Sequence, residues 1–99
     1  MSLTFDTFKE SLNAAAPPDG LSLALQALWY DAKDNWGTAH EYAQQQDDEL
    51  GAWVHAYLHR KEGDIPNADY WYHRAAKPMS ELSLEGEWEA IVQALLNDQ

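Results

Sequence analysis

Apolar residues recur at helical spacing along most of the chain. Phe5, Phe8 and Leu12 are three and four residues apart, which is the spacing of one face of an amphipathic helix. No window alternates apolar and polar residues for long, and Val and Ile are sparse, so strands are not expected. We therefore predict an all-α fold. The predicted helices cover residues 4–15, 21–33, 36–46, about 48–62, about 66–76 and 83–97.

Proline and glycine mark the expected ends of these helices. A proline inside a helix removes a hydrogen bond and clashes with the preceding turn. Breaks are therefore expected at residues 17–20, 63–66 and 77–78. Asp47 or Asp48 is expected to cap the fourth helix, and Ser83 the sixth, because a short polar side chain accepts the free amides of a first helical turn.

The middle of the chain repeats with a period of 29 residues. Shifting the sequence by this period aligns small residues with small residues and one turn with another. The aligned pairs are Ala27 with Ala56, Asp34 with Gly63, Ala39 with Ala68 and Tyr42 with Trp71. Two antiparallel helices approach closely only where their side chains are small. Each repeat is therefore predicted to be a helical hairpin, and the two hairpins are predicted to stack.

The second repeat carries the pattern of a known helical repeat. It has Ala56 in the middle of its first helix, Gly63 and Asp64 at the turn, and Ala68 early in its second helix, followed by aromatic residues and alanines before Pro78. In this it resembles the tetratricopeptide and Sel1-like repeat families. The whole chain also resembles a small family of bacterial proteins, a likeness that implies no particular function.

The repeat resemblance implies a single domain of two stacked units. The units would span residues 21–46 and 48–78, with the helices at 4–15 and 83–97 capping the two ends. The first unit departs from the family pattern, since Asp34 and Asn35 stand at its turn and Gln46 stands where alanine is usual. In these families the first helix of each unit lines a concave groove.

Charge and composition narrow the classes of partner. The 99 residues include 17 acidic and 6 basic side chains, for a formal net charge of −11. This field repels phosphate backbones and anionic lipids, so no nucleic-acid or membrane partner is expected. No apolar stretch approaches about 18 residues and no leader pattern is evident, so we expect a cytoplasmic protein. Without cysteine, thiolate chemistry is excluded, and we expect no cofactor.

The groove implied by the resemblance is the first candidate site. Arginine offers a planar fork for a carboxylate, and aromatic rings offer flat apolar faces. The leading prediction is therefore a non-catalytic module that binds a protein or a peptide. The predicted binding residues are Trp53, Tyr57, Arg60 and Lys61 of the second unit, and the corresponding groove-lining positions of the first unit are Ala24, Leu28 and Asp31. Two alternatives stay open: the C-terminal helix fills the groove, or two chains associate as a homodimer.

The second candidate site is a metal centre on the fourth helix. His55, His59 and Glu62 are four and three residues apart, so they share one helix face and could hold one ion. The spacing is not that of the HExxH metalloprotease motif. The alternative is a buried, hydrogen-bonded histidine pair that faces the neighbouring helix. His73 is expected in solvent.

No motif in the sequence predicts a chemical reaction. The chain has no glycine-rich phosphate loop and no GxSxG motif, which are the signatures of two large enzyme classes. Adjacent carboxylates can raise one another's pKa and serve as acid or base. Four carboxylates are candidates for such a cluster across the two units, namely Asp31, Asp34, Glu41 and Asp69. We nevertheless predict that the protein is not an enzyme.

Overall fold

The computed structural model describes residues 3–98 and contains six helices in that range, with no strand. The helices are α1 (Phe5–Ser11), α2 (Leu23–Ala32), α3 (Trp36–Gln45), α4 (Glu49–Glu62), α5 (Ile65–Arg74) and α6 (Leu84–Asp98). The predicted all-α fold class is thus confirmed. Within the same range no helix has the length and apolar character needed to cross a membrane.

The first helix is shorter than its apolar pattern predicted. It ends at Ser11, and the next three amides bond to carbonyls three residues earlier, as in a tight turn. The ammonium group of Lys33 binds the carbonyl oxygens of Leu12 at 2.6 Å and Ala14 at 3.4 Å. The Lys33 side chain, at the end of α2, thus binds carbonyl groups that would accept backbone hydrogen bonds if α1 continued.

Polar side chains begin the helices as expected. Asp48, one of the two predicted caps, accepts a hydrogen bond from the amide of Gly51 at 2.8 Å. Ser83 accepts one from the amide of Gly86 at 3.0 Å. These bonds satisfy amides that have no partner inside the helix, so they fix where α4 and α6 begin.

The helices pair as two hairpins, α2 with α3 and α4 with α5, and α3 also lies against α4. The alanines that the 29-residue shift aligns, Ala27, Ala39, Ala56 and Ala68, are all fully buried. Asp34 and Gly63, which align at the turns, both have left-handed backbone, with φ of 60° and 88°. These observations agree with stacked hairpins, and membership of a tetratricopeptide-like family stays a prediction.

The last helix covers the first helices of both hairpins. α6 contacts α2, α4 and α1. Its apolar residues Ile91, Val92 and Leu95 belong to the main buried cluster, and the indole nitrogen of Trp88 donates to the carbonyl oxygen of Leu28 at 3.0 Å. The face of α2 and α4 on which a groove was expected is therefore occupied by α6.

Candidate metal centre

A tight turn places histidines from two helices opposite each other. α3 and α4 are joined by residues 46–48 alone, so they run antiparallel. Gly51 makes this reversal possible, because a Cβ atom there would lie 1.9 Å from the carbonyl oxygen of Gln46. His40 lies six residues before the turn (46 − 40) and His55 seven residues after it (55 − 48). Residues at nearly equal distances from a turn lie side by side on two antiparallel helices.

Three histidines converge beside this turn. Nε2 of His40 lies 2.9 Å from Nε2 of His55, and His59 is one helical turn further along α4. One ring nitrogen of each histidine lies within 4.8 Å of the other two. In a tetrahedral zinc site, with Zn–N distances of about 2.0–2.1 Å, two ligand nitrogens are about 3.3 Å apart. The rings would therefore move by no more than about 1.5 Å to hold an ion.

Glu62 contacts the cluster through His59. Its Oε1 lies 2.8 Å from Nδ1 of His59, which leaves Nε2 of His59 as the remaining donor atom. A carboxylate on the far nitrogen fixes the imidazole tautomer and makes the other nitrogen a better metal ligand. His40 thus joins the candidate ligands, and Glu62 of the predicted trio hydrogen-bonds to His59 in the metal-free protein.

Two tryptophans form the walls of the site. The ring of Trp36 stacks on His40 with centroids 5.0 Å apart and meets His59 edge-on at 5.9 Å. On the other side, Trp71 stacks on His55 at 3.8 Å. The indole nitrogen of Trp36 donates to the carbonyl oxygen of Leu58 at 2.9 Å. The walls are thus held in place and shield the imidazoles from water.

Burial favours the neutral imidazole at His55 and at His40. His55 and His59 are buried and His40 is half-buried. Loss of water contact disfavours the charged form and lowers the pKa of His55 to about 3, with a further contribution from His40 and His59. Burial and His59 also lower the pKa of His40, against an opposing effect of Glu62 and Glu41. Neutral imidazole is the form that binds metal ions.

One nitrogen of the cluster lacks a protein partner. Nδ1 of His55 is buried and makes no hydrogen bond to the residues that the structure describes. His55 itself is only 4% exposed. An unpaired buried polar atom costs about 1–3 kcal/mol. His55 and His59 are nevertheless both buried, and each makes one hydrogen bond, to His40 and to Glu62. The buried histidine pair therefore stays open as the alternative to a metal centre.

Sequence reasoning identified two of the three clustered histidines. His55 and His59 face the neighbouring helix, as predicted, and the side chain of His73 is 77% exposed, also as predicted. His40 was not singled out. Its position opposite His55 across the short turn could have indicated it. That position can be inferred only when α3 and α4 are known to be joined by three residues.

The residues predicted to line a groove are mostly engaged inside the fold. Tyr57 is buried and its hydroxyl donates to Asp31 at 2.9 Å. Lys61 forms an ion pair with the same carboxylate at 2.9 Å. Arg60 forms an ion pair with the buried carboxylate of Glu87 on α6 at 2.8 Å. These donors have intramolecular partners in place of a peptide.

Trp53 differs from the other three groove residues. It is half-buried and lines a surface depression of about 410 Å³ together with Lys77, Met79 and Leu82. The ammonium group of Lys77 lies 4.3 Å from the centre of the Trp53 ring. Leu82 is 52% exposed, so this depression has an apolar rim open to solvent.

The four carboxylates considered as an acid–base cluster have separate surroundings. Asp31 is buried against Lys61, Asp69 lies 3.6 Å from His73 on the outside of α5, and Asp34 and Glu41 are exposed. No protein-family model, curated protein or solved structure matches the chain. Proposals about function therefore rest on the side-chain geometry.

Proposed function

We propose that the protein binds a first-row transition metal ion through His40, His55 and His59. The observation that carries this proposal is the convergence of three imidazole nitrogens within 4.8 Å at one helix–helix contact. Glu62 supports it, because a carboxylate hydrogen-bonded to a ligand histidine is a regular feature of metal sites.

The donor set favours particular ions. Imidazole suits zinc, copper, nickel and iron, whereas calcium and magnesium take oxygen ligands. The chain has no cysteine, so soft thiolate selection of Cu(I) is absent. With three nitrogen donors, affinity for divalent ions is expected to follow the general order that peaks at Cu²⁺, with Ni²⁺, Co²⁺ and Zn²⁺ below it. The net charge of −11 also attracts cations to the surface.

The test combines elemental analysis with metal titration. Purified protein is analysed for bound metals, stripped with a chelator and titrated with Zn²⁺ and Ni²⁺ by calorimetry. The wild type and His73→Gln are expected to bind one ion per chain. His40→Gln, His55→Gln and His59→Gln are expected to lose more affinity than the about 10–100-fold that removal of an outer partner costs. His73→Gln is the matched control because its imidazole is exposed.

Two results would contradict this proposal. One is a wild type that binds no ion at micromolar concentration. The other is His40→Gln binding as tightly as the wild type, which would return the site to the trio predicted from the sequence. Glu62→Gln separates the roles further: as an orienting partner it should keep the stoichiometry and lose about 10–100-fold in affinity.

We also propose, as a second function, that the depression at Trp53 binds a protein or peptide side chain. Its support is the half-exposed apolar lining formed by Trp53, Met79 and Leu82, beside the ammonium group of Lys77. An acidic or C-terminal peptide would suit that combination, because aromatic anchors and one cation are common in such contacts. This proposal differs from the sequence prediction in needing only Trp53 from the original four residues.

Affinity capture tests the second function. Wild type and Trp53→Ala are compared as bait, with Tyr70→Ala as the control because Tyr70 is a similarly large exposed aromatic on α5. Partners that bind at the depression should be lost with Trp53→Ala and kept with Tyr70→Ala. Equal recovery by a folded Trp53→Ala would remove the depression as a binding site.

A further inference from the structure

The histidine cluster supplies three donor atoms, one fewer than a closed tetrahedral site requires. Three described histidines meet within 4.8 Å, and the nearest carboxylates are engaged elsewhere. Glu62 is bound to Nδ1 of His59, and the side chain of Asp64 caps α5 by accepting from the amide of Asn67. Among the described residues, Glu62 and Asp64 form a separate group of possible ligands with His59, and neither joins the three imidazoles in one group.

The site has a buried floor and a partly open rim. His55 and His59 are 4% and 6% exposed, so one side of the ion is enclosed. His40 is half-buried, and the side chain of Glu62 is 40% exposed. Solvent can therefore reach the cluster past these two residues, while the stacked rings of Trp36 and Trp71 close the sides.

We infer that the bound ion keeps one coordination position for a small exogenous ligand, a water molecule that a small monodentate anion can replace. This inference rests on the proposed metal site and specifies what else that site binds. Sites with three protein ligands characteristically hold water or another exogenous group in the fourth position, whereas structural zinc sites are closed by four protein ligands.

Two features limit the anion to a small, singly charged one. The indole of Trp36 covers one face of His40 and that of Trp71 one face of His55, with ring centroids 5.0 Å and 3.8 Å apart, so an anion has to fit beside both rings. The chain's net charge of −11 repels anions before they reach the ion, and the repulsion grows with the charge of the anion. Azide is a suitable probe because it is linear, singly charged and coordinates through one end.

The experiment uses the protein loaded with one equivalent of Co²⁺, whose visible absorption reports its coordination. Azide is added stepwise to wild type, His73→Gln and Glu62→Gln, and the cobalt retained by the protein is measured after each titration. We expect a saturable change in the visible spectrum in all three proteins while the cobalt stays bound. Metal-free protein treated with azide gives the baseline.

Each outcome is decisive. A spectrum unchanged by azide in wild-type protein that retains cobalt shows a filled coordination sphere and overturns the inference, while the proposed metal site stands. A response that appears only in Glu62→Gln identifies the Glu62 carboxylate as the fourth ligand and also overturns it. If azide removes cobalt from the protein and no complex of protein, cobalt and azide is seen, the inference is also overturned. Failure to bind cobalt at all is a failure of the proposed function itself.

Discussion

His55 is constrained on several sides. Trp71 stacks on its ring, His40 shares a hydrogen bond with its Nε2, and its Nδ1 has no partner among the described residues. These surroundings favour a neutral imidazole, either as a metal ligand or as a buried side chain. The protonation of this one residue should therefore be visible in the stability of the metal-free protein.

We expect metal-free protein to lose stability as the pH falls from about 7 to 5. Because the pKa of His55 is lowered to about 3 in the folded state, the unfolded state, with an ordinary pKa of about 6.5, binds more protons in this range. The free energy of unfolding should then fall with decreasing pH, by up to about 1.4 kcal/mol per pH unit for each such group. Above pH 7, the protonation of His55 should no longer change the free energy of unfolding.

Denaturant unfolding at several pH values, with a chelator present, measures this slope. His55→Gln should flatten it, and His73→Gln should leave it unchanged because that imidazole is exposed. The window stops at pH 5 because carboxylates begin to titrate below it. A slope equal in wild type and His55→Gln would show that His55 is not held neutral.

Ala76 is a second residue whose conformation has a measurable consequence. It follows α5 with left-handed backbone, at φ 58°, which costs an L-residue with a Cβ atom about 1–2 kcal/mol. Glycine adopts this conformation freely, although it loses more entropy on folding. We expect Ala76→Gly to raise the free energy of unfolding by about 0.5–1 kcal/mol.

The control for Ala76→Gly is the same substitution inside a helix. Ala90 is exposed in the interior of α6, where glycine should cost about 1 kcal/mol. Both variants can be compared by urea unfolding. If Ala76→Gly destabilises the protein as much as Ala90→Gly, the left-handed conformation at residue 76 is not what limits stability there.

At the scale of helices, α4 joins the two halves of the molecule. Its buried residues face α5 on one side, where Ala56 and Ala68 form a small cluster with Tyr72, and α3 on the other. Both alanines are 0% exposed, as the repeat predicted. The small side chains let the two helices approach closely, so there is no room for a larger residue.

We expect Ala56→Leu to destabilise the protein by about 1–3 kcal/mol through overpacking at this contact. Ala32→Leu is the control, since Ala32 is an exposed helical alanine and should change stability by less than about 0.5 kcal/mol. Urea unfolding of the two variants gives the comparison. Equal stability of Ala56→Leu and wild type would mean that the α4–α5 contact can widen without cost.

The helices themselves were largely predictable because their signals are local. Periodic apolar residues, the caps Asp48 and Ser83, and Gly63 at a turn all act within a few residues of where they stand. The end of α1 was not predictable in this way. Lys33, which binds the carbonyl of Leu12, lies 21 residues away in sequence. A contact between residues so far apart cannot be recognised from the local spacing of apolar residues.

At the scale of the whole molecule, Glu87 connects three helices. From α6 it accepts hydrogen bonds from Arg60 of α4 and from the hydroxyl of Tyr72 of α5, and it is 1% exposed. Burial raises the pKa of Tyr72, and the hydrogen bond to Glu87 raises it further. A buried carboxylate is stabilised by the donors that hydrogen-bond to it, and those donors would lose their partner without it.

We expect Glu87→Ala to cost about 3–5 kcal/mol, because it leaves the guanidinium of Arg60 and the hydroxyl of Tyr72 without their partner. Glu85→Ala, an exposed acidic residue in the first turn of the same helix, should cost less than about 1 kcal/mol. Thermal and urea unfolding provide the measurement. Similar losses in the two variants would show that the buried network contributes little.

The candidate site was only partly predictable because it depends on tertiary contacts. His55 and His59 share one helix and were found from spacing, whereas His40 needed the register of α3 against α4. For the groove, the sequence named the lining residues but did not show that another helix covers them. Arg60 and Lys61 were predicted to line an open groove. Arg60 instead pairs with Glu87 of α6, and the apolar pattern of α6 did not say which surface that helix would cover.

The short turn at residues 46–48 has a consequence for the order in which the chain folds. His40 and His55 are 15 residues apart, whereas the contact of Trp88 with Leu28 spans 60. Closing the longer loop costs about 1.2 kcal/mol more entropy, and contacts near in sequence form sooner. During synthesis the hairpin of α3 and α4 is complete before α6 has been made. We therefore expect the contact between α3 and α4 to form before α6 packs against α2 and α4.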